Sequence, residues 1–188
     1  LSKTATRRAP KAARQFDWRR IAYHALVSRA LDDLEEETNR NRARVPKEHL
    51  VLYQFSARGH DVAQSILGSL ITHPRDAVSA YYRSRPLLLS IGLPIDDALG
   101  SPLGRAGGFS DGRDIGVVCN MPNENGPIVL PMSGDVGSQF TPAAGWAQSI
   151  LYHRDVLRGD SCNGAMAVVV GGGASVATNG FCSALPRA

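Results

Sequence analysis

The run AMAVVV ends at Val170 and gives way to Gly171, Gly172, Gly173 and Ala174. A buried strand followed by consecutive glycines and a helix suits a bound anion. Glycine lacks a Cβ and tolerates positive φ, and a helix start offers unpaired N–H groups. A tightly packed turn accounts for the same glycines, and neither the dinucleotide nor the P-loop fingerprint is present. A second stretch, YYRSRP, carries Tyr81, Tyr82, Arg83 and Arg85. Arginine is a bidentate phosphate fork and tyrosine adds a hydroxyl donor, although a surface arginine beside a packed tyrosine reads the same way. The third, SGDVGSQFTPAAGWA, gathers the oxygens of Ser133, Asp135, Ser138 and Gln139 before a helix with Pro142 in its first turn. Such a turn suits a hard cation or a polar cofactor edge, or is an ordinary capped helix start.

The elements that must hold these stretches alternate between helix and loop. Asp17 is an N-cap for a helix running to about Asn39, with Trp18, Ile21, Ala25, Val27, Leu31 and Leu34 as an approximate apolar stripe. The acidic cluster Asp32–Glu37 reads as its solvated face. From His60, apolar residues Val62, Ala63, Ile66, Leu67, Leu70 and Ile71 recur at helical spacing until Pro74. RDAVSAYYRSRPLLLSIG predicts a short helix interrupted near Pro86, and PIDDALGS another. Residues 100–137 are dense in Gly, Pro, Asn and Asp and read as long ordered loops. TPAAGWAQSILYHRDVL returns to helical spacing. GAMAVVV, without alternation, predicts a fully buried parallel strand. A lone strand needs partners, so weaker strands are expected in EHLVLYQF, IGVVCN and PIVLPM, unless another chain completes the sheet.

Composition narrows the function. No apolar run approaches the ~20 residues that span a bilayer. Cys119, Cys162 and Cys182 are odd in number and scattered, which fits a reducing compartment rather than a disulfide framework. Cys182, near a helix start, has no identifiable base to make it a nucleophile. The net charge of +4 is concentrated at one end. Lys3, Arg7, Arg8, Lys11 and Arg14 stand among the first residues without an acid, leaving 16 basic against 17 acidic residues elsewhere. Residues 1–16 therefore read as a disordered basic tail, with an acidic partner or a remnant targeting segment as alternatives. A nearly neutral body predicts neither nucleic-acid nor membrane binding.

Taken in order, RGHDVAQSILGSLITHPRDAVSAYYRSRP, LGRAGGFSDGRD, SGDVGSQFTPAAGWA and AVVVGGGASVATNGF resemble a known family. It is the alpha subunit of the thiamine-diphosphate-dependent 2-oxoacid dehydrogenases, the decarboxylating first component of complexes acting on pyruvate or branched-chain 2-oxoacids. The similarity runs from about Asp17 to Leu185 and covers the N-terminal half of such a subunit, so the chain reads as a truncated copy. It implies an α/β thiamine-diphosphate-binding fold over residues 17–188: a parallel sheet flanked by helices, incomplete at the C-terminus, with a helical N-terminal segment. By the resemblance, Tyr82 and Arg83 contact the cofactor's diphosphate, and Gly134 and Val136 touch its aminopyrimidine. Ser133, Ser138 and Gln139 lie where some members bind K⁺, and Gly171, Gly172, Gly173 and Ala174 form the first part of the thiamine-diphosphate and Mg²⁺ motif.

The implied activity is oxidative decarboxylation of a 2-oxoacid with acyl transfer to a lipoyl group. The implied partners are a beta subunit, in a heterotetramer of two of each, and a lipoyl-bearing acyltransferase. The expected compartment is the cytoplasm, or the mitochondrial matrix in a eukaryote. The departures matter as much. The motif's acidic metal ligand falls at Gly172, its closing asparagine pair is missing, and GVVCN lacks the family's histidine. Cys182 replaces a bulky aromatic. The isolated chain is thus expected to bind thiamine diphosphate weakly. A non-catalytic interaction or assembly protein that keeps the fold is the other class, and an unrelated α/β phosphate binder a third.

Overall fold

In a computed structural model that describes residues 15–51, 53–113, 120–123 and 125–187, the chain opens with a long helix. This helix, α1 (Trp18–Arg40), is capped by Asp17, whose carboxylate accepts from the Arg20 N–H at 3.1 Å. The basic residues 1–14 lie outside the described residues. Helices α2 (Asp61–Leu70) and α3 (Arg85–Ser90) pack against α1 and against each other. Helix α4 (Ile95–Gly100) follows where PIDDALGS predicts it. Helix α5 (Phe140–Asp155) lies on the sheet, and the short α6 (Asn179–Ala184) packs beside it.

The sheet has three short parallel strands: β1 (Ala77–Ser79), β2 (Ile128–Val129) and β3 (Ala167–Val169), in the order β2-β1-β3. The architecture is α/β. Asp76 locks the start of the central strand. One oxygen accepts from the Thr72 and His73 N–H groups at 2.9 and 2.8 Å, the other from Met166 N–H at 2.8 Å, at the approach to β3. Buried and three times bonded, this carboxylate sets the register of two strands. Above it, Val78, Ala80, Leu87, Leu88 and Val129 form the main core with Leu31 of α1.

Several expectations are corrected. The segment expected as one interrupted helix is the central strand β1 followed by α3. Pro86 sits in the first turn of α3, where its missing N–H costs nothing. The strand expected to be fully buried, β3, is an edge strand with Val169 39% exposed, because only β1 pairs with it among the described residues. PIVLPM does supply a strand. EHLVLYQF instead starts within a 3₁₀ turn, Lys47–His49, and has no strand among its described residues. IGVVCN falls largely on residues 114–119, outside the described residues. The glycine loop leads into a 3₁₀ turn, Gly173–Ala177, before α6. On α2 the buried positions are Asp61, Gln64, Ser65 and Gly68, while Val62 of the apolar stripe is exposed. Gly68 is required where α2 meets α3, since a Cβ there would collide with Ser90.

The largest correction concerns α1. Its buried face is Ile21, Ala25, Ser28, Leu31, Asp32 and Glu35, whereas Trp18 and Leu34 are exposed. The acidic cluster is therefore not a solvated face throughout. Asp32 and Glu35 are buried against Arg85, itself 1% exposed. Arg85 donates one Nη to Asp32 at 2.9 Å and the other to Glu35. Asp32 also accepts from the Ser56 hydroxyl at 2.8 Å and the Ala57 N–H at 2.9 Å. Three buried charges hold together because each neutralises or hydrogen-bonds another. Arg85, a candidate phosphate ligand by type, is spent inside the fold.

Candidate functional site

In a parallel sheet the backbone dipoles and loops at the carboxyl ends of the strands form the natural ligand crevice. All three stretches singled out in the sequence emerge there. Tyr81, Tyr82 and Arg83 follow β1, the Ser133–Gln139 bend follows β2, and Gly171–Ala174 follow β3. They converge on one cleft of about 350 Å³, lined by Tyr82, Arg83, Val136, Gln139, Gly172, Gly173 and Ala174. Gly171, Ser133, Gly134 and Ser138 are not part of its lining.

Arg83 is half-buried and held in place. One Nη donates to the Ser56 carbonyl at 2.9 Å, and the guanidinium carbon lies 5.5 Å from the Tyr82 ring centroid and 5.9 Å from that of Phe55. These rings stack, with centroids 4.3 Å apart. Buried Gln64 donates to the Arg83 carbonyl at 3.2 Å and fixes the backbone beneath it. The remaining guanidinium N–H groups have no partner among the described residues, so a preorganised cation faces the cleft with donors to spare. Burial pushes the neighbouring Tyr81 hydroxyl above its usual pKa, and the Arg83 charge opposes that shift. Tyr81 stays a neutral donor at physiological pH.

On the opposite wall, Gln139 ties two loops together. Its Oε1 accepts from the Gly137 N–H at 3.0 Å and its Nε2 donates to the Val170 carbonyl at 3.1 Å. Ser133 accepts from the Asp135 N–H at 3.1 Å, and Ser138 donates to the Asp135 carbonyl at 2.8 Å. In this structure the three proposed cation oxygens hold the shape of the turn. Gly137, at φ +95°, turns the bend toward α6, and a Cβ on Gly180 would collide with the Gly137 carbonyl. The bend after β2 thus rests backbone-to-backbone on the start of α6.

The three glycines after β3 have different reasons. None has positive φ, so backbone conformation does not require them. A Cβ on Gly171 would sit 2.6 Å from Ser175 Oγ, 3.0 Å from Phe140 Cζ and 3.1 Å from Gln139 Nε2, which makes this glycine a packing residue. Gly172 and Gly173 would meet nothing within 4 Å. Their missing side chains leave open space along the cleft wall, where a ligand can approach the backbone.

Arginine, tyrosine and an open glycine backbone form a donor set for an anion. They do not form one for Mg²⁺, which wants oxygen ligands including a carboxylate. Gly172 offers none, Asp135 is the one carboxylate on the cleft lining, and the described residues contain no group of three or more His, Cys, Asp or Glu suited to a metal. Sequence reasoning passed over His60 and Ser175, which also line the cleft with Tyr81, while Asp135 was noticed only as a turn oxygen. His60 follows Gly59, at φ +88°, and starts α2; that Gly-His pair at a helix start was the available signal.

No helix among the described residues is long and apolar enough to cross a membrane. No protein-family model matches this chain, and no curated protein matches it.

Proposed function

We propose that the cleft at the strand ends binds the diphosphate of thiamine diphosphate, and that the chain is an alpha-subunit-type component of a 2-oxoacid dehydrogenase. The observation that carries this reading is the convergence of Arg83 with the open glycines Gly172 and Gly173 across one cleft. Arg83 and Tyr82 would hold the phosphate oxygens with the backbone N–H groups of residues 172–174, while Val136 and Gly134 would face the organic part. When bound, this cofactor supplies the carbanion that adds to a 2-oxo carbon and takes up the electron pair released on decarboxylation. The protein's share is to bind the anion, orient it and exclude water. The activity of the assembly would be oxidative decarboxylation of a branched-chain or pyruvate-type 2-oxoacid. Acyl transfer to a lipoyl-bearing acyltransferase follows, with a beta subunit completing the site. K⁺ at the Ser133, Ser138 and Gln139 turn belongs to the same proposal.

Gly172 favours a second reading, a non-catalytic interaction or assembly protein of the same fold, because it leaves no carboxylate at the motif's metal position to hold a cation against the diphosphate charge. The two readings share an anion cleft and differ in turnover. Inorganic pyrophosphate titrated into ¹⁵N-labelled protein is expected to shift amide signals around Arg83 and residues 172–174. Arg83→Ala is expected to weaken that binding roughly tenfold, the share of a charge-assisted contact, with a fall of a few degrees in melting temperature from the lost Ser56 hydrogen bond that circular dichroism separates from unfolding. Shifts confined to another face would sink the anion cleft. Mixing the chain with a beta subunit and assaying 2-oxoacid decarboxylation separates enzyme from binder: turnover abolished by Arg83→Ala supports the first, tight association without turnover the second.

A further inference from the structure

A second cavity, of about 290 Å³, shares no lining residue with the anion cleft. It lies between the C-terminal half of α1, residues 45–51 and the end of α4. Its walls are largely apolar, formed by Leu34, Val45, Val51, Leu99 and Leu103. Glu35 and Thr38 of α1 and the exposed His49 complete the lining.

Glu35 is 1% exposed, and the fold uses only one of its carboxylate oxygens. Oε1 accepts from Arg85, while Oε2 is buried without a partner among the described residues. A buried acceptor left unpaired is destabilising, so such an oxygen calls for a donor. The cluster is unbalanced in charge as well. Arg85 sets one positive charge against two carboxyls, and Asp32 takes the better share with the added support of Ser56 and Ala57. Thr38 donates its hydroxyl to the Leu34 carbonyl at 2.7 Å, so its oxygen has only lone pairs left to offer.

A ligand suited to this cavity therefore brings donors, a positive charge and an apolar body. An ammonium group has three donors and no acceptor. We propose that the cavity is a binding site for a small primary amine, whose ammonium group pairs with Glu35 and Thr38 while its alkyl chain lies against Leu34, Val51, Leu99 and Leu103. A neutral alcohol fills the same walls but leaves the excess acidic charge unmatched, and a carboxylate or phosphate meets repulsion. The site stands independently of the cofactor reading.

The test is a titration of 3-methylbutylammonium chloride into the ¹⁵N-labelled full chain at about pH 8 and constant ionic strength, read from amide shifts. At that pH an alkylamine is protonated. Glu35, its carboxyl pushed up by burial to about 7, is charged as well. Saturable shifts are expected at residues 34–38, 51 and 99, with a dissociation constant on the order of 1 mM. The isosteric 3-methylbutanol is expected to bind roughly tenfold more weakly. Glu35→Gln keeps the side-chain shape and an oxygen for Arg85 but loses the charge. It is expected to weaken amine binding about tenfold and leave the alcohol unchanged, with circular dichroism checking the fold. No saturable shift at these residues up to about 20 mM amine overturns the proposal. Equal affinity for amine and alcohol does so too, as does amine binding indifferent to Glu35→Gln.

Discussion

Replacing Glu35 by glutamine tests the buried charge cluster through the dependence of stability on pH. Three ionisable groups share one positive charge, and Asp32 has the better environment. It accepts from Arg85, Ser56 and Ala57, whereas one Glu35 oxygen is buried without a partner. Burial accordingly pushes the Glu35 carboxyl up to about 7; Arg85 opposes the shift and the Asp32 charge adds to it. The ordinary value is 4.5. Below about 4.5 both folded and unfolded chains are protonated at this position, and its contribution to stability is fully present. As pH rises toward 7 the unfolded chain releases the proton first, and that stability is lost. At about 1.4 kcal/mol per pH unit, the gap amounts to about 3 kcal/mol. Glutamine cannot titrate and still offers an oxygen to Arg85. Urea denaturation of both proteins, followed by circular dichroism between about pH 4.5 and 8, should show the variant gaining about 3 kcal/mol on the wild type across that range. His24, whose pKa burial lowers, contributes a slope of the opposite sign to both proteins and cancels in the difference. A difference constant to within about 0.5 kcal/mol would refute the assignment of Glu35 as the titrating member of the cluster.

Two further substitutions probe the site. Gly180→Ala pushes a methyl group into the Gly137 carbonyl, and since both partners are backbone it is expected to cost about 1–3 kcal/mol, read as a fall of several degrees in melting temperature. Gly172→Asp enters open space at ordinary backbone angles, φ −78° and ψ 162°, so the melting temperature should hold. If the cleft takes a metal-bound diphosphate, calorimetry should show Mg²⁺ strengthening thiamine diphosphate binding to this variant roughly tenfold more than to the wild type.

Local physics explains which parts of the chain were legible beforehand. Asp17 announced the start of α1, Pro142 that of α5, and PIVLPM a strand, because caps, prolines and short apolar runs act within a few residues. Strand β1 was hidden, since Ala77–Ser79 is too short to display any period and its pairing partners lie far along the chain. The buried side of α2 was hidden as well. Its polar and small residues, Asp61, Gln64, Ser65 and Gly68, face neighbouring helices that approach closely, so burial there follows packing distance rather than hydropathy.

By themselves, the residues determined most of the helical segments, the glycine run that follows β3, and the absence of a carboxylate at position 172. Only the tertiary structure decided which arginine faces the cleft. Arg83 and Arg85 are two residues apart and chemically identical, yet one lines the crevice while the other is neutralised by acids 53 and 50 residues away. A charge has no environment until the chain folds around it, and its environment decides whether it binds a ligand or holds the fold together.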